Sequence, residues 1–61
     1  MKRYVKEIAN EFLNIKFYPE EYKQKIKKVV NYAERGLITS LEAVQMIIQI
    51  DQELKEIHNN N

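Results

Sequence analysis

Few side chains in this 61-residue chain could do covalent chemistry, and none stands where a reaction needs it. A nucleophilic mechanism takes an activated hydroxyl, thiol or amine beside a base that a third group orients. Cysteine is absent, and apart from four tyrosines the hydroxyls are Thr39 and Ser40 alone. Both sit where a helix begins, which accounts for them without a reaction. His58 is the single histidine, and a structural zinc site takes about four ligands. Carboxylates pair at Glu20-Glu21 and at Glu53 and Glu56. The first pair suits a helix N-terminus and the second a solvated helix face. A lone glycine, Gly36, cannot build a phosphate-cradling loop. The chain is therefore expected to be no enzyme and to use no metal or cofactor.

Binding surfaces are easier to find. Met1 to Lys28 carries eight Lys/Arg against four Glu, a balance of +4, and Val29 onward carries two against five Asp/Glu, a balance of −3. Lys2, Arg3, Lys6, Lys23, Lys27 and Lys28 could form a basic surface for nucleic acid or for an acidic partner. Tyr32 could stack on a base beside them. Glu20, Glu21 and Glu34 interleave with these cations, as on an ordinary solvated face. A helix-turn-helix use of the last segment is disfavoured. Its polar strip offers Glu42, Glu53 and Glu56 with glutamines, and acids face phosphates badly.

The last segment, Thr39 to His58, offers the second surface. Leu41, Ala43, Val44, Met46, Ile47, Ile48, Ile50, Leu54 and Ile57 sweep roughly 220° of a helix at about 100° per residue, against little more than 100° for an ordinary surface helix. Such a face suits two neighbours, one within the chain and one outside it. Met46, Ile47, Ile50, Asp51, Leu54 and Ile57 are the expected protein interface. Asp51 is the polar exception in this sector, and a buried carboxylate must find a partner or reach water. A lysine or tyrosine from the first helix or a second chain would serve, as would solvation beside Lys55 and His58.

Three amphipathic segments must position these surfaces. Tyr4, Val5, Ile8, Ala9, Phe12, Leu13 and Ile15 recur at helical spacing and predict a first helix over about 2–15. Pro19 opens a second over 19–35, with Glu20 and Glu21 at its positive end and Tyr22, Ile26, Val29, Val30 and Ala33 as its apolar stripe. Glu21 and Lys25 form a favourable i,i+4 pair. Gly36 suits the left-handed residue that ends a helix. Thr39-Ser40-Leu41-Glu42 matches a capping box and starts a third helix over 39–58. Asn59–Asn61 reads as a frayed tail.

The connection between the second and third helices is so short that they must be antiparallel neighbours. The expected fold is thus all-α, one domain over 1–61, three helices with the last two as a hairpin. A core this small usually needs a metal, disulfides or self-association. With the first two absent, a helical-bundle homodimer is expected. No apolar run reaches the roughly 18 residues a membrane span takes. The basic Met1-Lys2-Arg3-Tyr4 start leads into Glu7, Asn10 and Glu11 where a signal peptide is apolar. A cytoplasmic protein that does not engage membranes is expected. The favoured function is a small regulator or inhibitor that occludes a larger protein, similar in size and composition to those made by phages and other mobile elements. A small DNA- or RNA-binding regulator stands second, and a purely structural self-assembling bundle third.

Overall fold

The computed structural model describes residues 3–59, with side chains as far as Ile57. Expectations about Lys2, the His58 side chain, Asn60 and Asn61 fall outside the described residues. Three helices follow one another: α1, Arg3–Leu13; α2, Glu20–Glu34; and α3, Ser40–Asn59. Each lies within two residues of the range its apolar spacing predicts, and Asn59 is still helical.

The differences have local causes. α1 stops at Leu13 instead of continuing to Ile15. The Ile15 amide donates to Phe12 and the Tyr18 amide to Ile15, each at 3.2 Å, so the chain turns here with tighter bonding than an α-helix uses. Phe17 takes a positive φ of 66° within that turn. Pro19 keeps the residue before it out of helical geometry and stands at the N-cap of α2. Its carbonyl accepts the Tyr22 and Lys23 amides, each at 3.0 Å.

α2 ends in a Schellman motif. The Leu37 amide donates to the Tyr32 carbonyl at 2.9 Å and the Gly36 amide to Ala33 at 3.1 Å, with Gly36 at φ 74°. This pairing satisfies carbonyls that the helix end would leave bare. Three residues later the capping box closes. Thr39 Oγ1 accepts the Glu42 amide at 3.1 Å, and Glu42 Oε1 accepts the Thr39 amide at 3.0 Å. Glu42 consequently has its carboxyl held below its ordinary value, first by the Thr39 amide and then by the Thr39 hydroxyl. The chain reverses sharply between these two motifs, and α2 and α3 pack closely as the hairpin.

The core runs along the middle of the bundle. Val5 and Ala9 come from α1, Tyr22, Ile26, Val29 and Ala33 from α2, and Ala43 and Ile47 from α3, with Tyr18 from the turn. Ile8, Phe12, Leu13, Val30, Ile38, Val44, Ile50 and Leu54 pack around them. Tyr4 and Ile15, placed by periodicity on the apolar face of α1, are largely exposed at its ends. Among the described residues no helix is long and apolar enough to cross a membrane.

Candidate functional site

α3 carries the features from which a site can be built. Its wide apolar sector divides by position. Ala43 and Ile47 form the buried centre, and Val44, Ile50 and Leu54 are half-buried beside it. The two edges remain in solvent. Leu41, at 63% exposure, and Ile48 form one, and Met46 and Ile57, at 53%, form the other.

Of the six residues expected at a protein interface, Ile47 is wholly enclosed by its own chain and offers a partner nothing. Ile50 and Leu54 pack against that same core and show only part of their surface. Met46 and Ile57 are the members that face outward.

Asp51 is only 7% exposed, yet it needs no second chain. The Tyr18 hydroxyl donates to Oδ1 at 3.0 Å, and Lys55 Nζ meets Oδ2 at 2.9 Å. Both oxygens are thereby occupied, as a buried carboxylate requires. Expectation named a tyrosine or lysine from the first helix or a second chain, or solvation beside Lys55 and His58; the structure instead buries Asp51 against Tyr18 of the α1–α2 turn and pairs it with Lys55. Burial first, then the hydrogen bond to Asp51 and its charge, push the Tyr18 phenol up to about 12.

The basic surface does not hold together. On α2, Lys23 and Lys27 lie on the flank beside Val30 and Glu34, whereas Lys28 and Tyr32 lie roughly 140° around the helix at 100° per residue. Arg3 pairs with Glu7 at 3.2 Å, and Lys6 crosses to Glu34 at 3.3 Å. Lys25 does not pair with Glu21; it lies over the Tyr22 ring, 4.8 Å from the centroid. One part of the set does converge. Lys6 and Asn10 of α1 and Lys27 of α2 border a groove of about 200 Å³ floored by Ala9, Leu13 and Val30.

The Lys6–Glu34 pair and the antiparallel run of α1 and α2 place Lys6 at one end of this groove. Lys27, seven residues before Glu34, marks the other end, roughly 10 Å away at 1.5 Å per residue. The groove thus has an apolar floor with Lys27 at one end and the Lys6–Glu34 pair at the other, and it fits an apolar side chain accompanied by carboxylates. Sequence inspection assigned Lys6 and Lys27 to a surface but missed their shared floor. The signal was present in the spacing: Lys6 and Leu13 are seven apart, and Lys27 and Val30 three apart, so each pair shares a helix edge.

Among the described residues, no three His, Cys, Asp or Glu side chains come together as a metal-binding group. Phe17, at 89% exposure, projects from the α1–α2 turn with Lys16 Nζ 5.2 Å from its ring centroid. In comparisons with protein families, curated proteins and solved structures, no match to this chain was found.

Proposed function

We propose that this chain is a non-enzymatic interaction protein, a small cytoplasmic regulator or inhibitor that binds and occludes a larger protein through α3. The observation that supports this is the pair of apolar edges that α3 keeps in solvent. Leu41 and Ile48 lie seven residues apart on one edge, with half-buried Val44 between them and the core. A chain with so small a core gains stability from every apolar side chain it can bury. Leaving these outside makes sense where another surface covers them. The Met46 and Ile57 edge supports self-association of the same helix into a homodimer.

Nucleic acid has less in its favour. Its cations are divided between two faces of α2, and Arg3 and Lys6 already pair with carboxylates.

The test is quantitative affinity capture from the source organism, comparing wild type with Leu41→Glu/Ile48→Glu. Both side chains are exposed, so helicity should be retained. The proposal expects one protein, recovered by wild type and by a Lys28→Glu control, to fall at least about tenfold with the double variant, as for loss of a central apolar anchor. An identical captured set for all three would remove α3's Leu41 edge as a binding surface.

A further inference from the structure

We propose that the groove between α1 and α2 receives the last turns of α3 from a second copy of this chain. Ile57 seats on the floor of Ala9, Leu13 and Val30, and Glu53 and Glu56 lie toward Lys6 and Lys27. This rests on the reading that α3 mediates association, and it names the surface that α3's second edge meets.

Size is the first argument. A cavity of about 150 Å³ admits a benzene ring, so a groove of about 200 Å³ has room for one aliphatic side chain. Ile57 is such a side chain and stands 53% exposed. Past Asp51 no described side chain of α3 is buried, and only Leu54 packs on the core. Those turns are therefore free to enter another surface.

Charge is the second. Glu53 and Ile57 are four residues apart, one above the other on the helix, and Glu56 flanks them. An apolar side chain with two carboxylates along one side of it thus faces an apolar floor bordered by lysines. Lys27 makes no ion pair among the described residues, and the Lys6–Glu34 pair is exposed on both sides. Exposed pairs are worth little, so Lys6 can turn to an incoming carboxylate at small cost.

Connectivity makes the contact intermolecular. The groove is lined by α1 and α2 alone, while α3 is one continuous helix from Ser40 to Asn59 whose buried seam packs on the core of those same two helices. Its end cannot bend back into its own groove without breaking that helix. Two copies can exchange their α3 ends reciprocally, and such an exchange closes as a two-fold dimer in which each groove is filled.

The test uses opposite charge reversals on the full chain, read by sedimentation at about 100 μM and by circular dichroism for folding. Lys6→Glu/Lys27→Glu makes both groove and helix end acidic, and Glu53→Lys/Glu56→Lys makes both basic. Wild type is expected to be dimeric. Each variant alone should associate at least about tenfold more weakly, because like charges now meet. Mixing the two in equal amounts should restore a dimer, since each acidic groove then meets a basic helix end and each basic groove an acidic one. A monomeric wild type overturns the proposal. So does an unchanged dimer in either variant, or a mixture of folded variants that stays monomeric. None of these outcomes bears on capture through Leu41 and Ile48, so the two proposals fail separately.

Discussion

Replacing Tyr18 by phenylalanine removes one oxygen and probes the only buried charge among the described residues. The ring stays, and with it the contact to Phe12, whose centroid lies 6.5 Å away. What disappears is the 3.0 Å hydrogen bond to Asp51 Oδ1. Lys55 still covers Oδ2, so the carboxylate is half satisfied in a site only 7% exposed. A hydrogen bond to a charged group is worth about 1.5–3 kcal/mol, which sets the expected loss at about 2 kcal/mol. A chain of this size has about 3–9 kcal/mol in all. The variant should therefore stay folded but melt roughly 8–16 °C lower.

Titration bears on the same site. The Tyr18 phenol is raised from 10.0 to about 12, so the folded state favours the neutral form. That contribution is complete below the unfolded value of 10.0 and is lost as pH rises toward about 12. Two pH units correspond to about 2–3 kcal/mol. Burial is the largest cause of that shift, ahead of the hydrogen bond to Asp51, so the figure overlaps with the hydrogen bond and is not added to it. The measurement is the difference between wild type and Tyr18→Phe in urea unfolding, followed by circular dichroism from neutral pH to about pH 12. The difference should start near 2 kcal/mol and shrink above about pH 10. A variant within about 0.5 kcal/mol of wild type at neutral pH, with parallel alkaline losses, would refute the account of Asp51.

Thr39→Ala should cost about 1 kcal/mol by removing the acceptor for the Glu42 amide, measured by urea unfolding at neutral pH. Glu42 has its carboxyl lowered from 4.5, so its contribution is present above that value and fades as pH falls below it; protonation at the acid end should weaken α3's start. Phe17→Asn should fall within about 0.5 kcal/mol of wild type, because asparagine tolerates positive φ and the exposed ring has only its contact with Lys16 to lose. A loss above about 1 kcal/mol in the same experiment would mean that Phe17 is held by more than its exposure allows.

Where signals are local, the sequence was enough. Thr39 and Glu42 are three residues apart, and Gly36 sits two past the end of α2; both motifs form as their residue types dictate. Apolar spacing placed the helices and the middle of the core, since burial follows the 3.6-residue period. It overreached at Tyr4 and Ile15, where the stripe runs past the bundle's ends. The wide sector of α3 was visible, but that both of its edges stay outside depended on where α1 and α2 sit. Asp51 stood out for its neighbours in sequence, yet its partner Tyr18 is 33 residues away. The groove was hidden for the same reason: Lys6 and Lys27 share a floor only once α1 and α2 lie side by side.

The shortness of α1 has a consequence for how the bundle opens. α1 commits only Val5 and Ala9 to the buried core, against four residues from α2. On the surface it is tied to α2 by the exposed Lys6–Glu34 pair. The Tyr18–Asp51 bond lies on the far side of the turn and fastens α2's start to α3, reaching α1 only through the contact of the Tyr18 ring with Phe12. The molecule thus has a fault line at Asn14–Phe17, along which α1 can lift away while the α2–α3 hairpin persists. Amides of α1 should then exchange with solvent at a lower free energy than those of α2, an ordering that native-state hydrogen exchange checks. Every such opening also dismantles the groove, because α1 supplies one wall of it. An occupant bridging Lys6 and Lys27 would hold the wall in place, so association and the closure of α1 would reinforce each other.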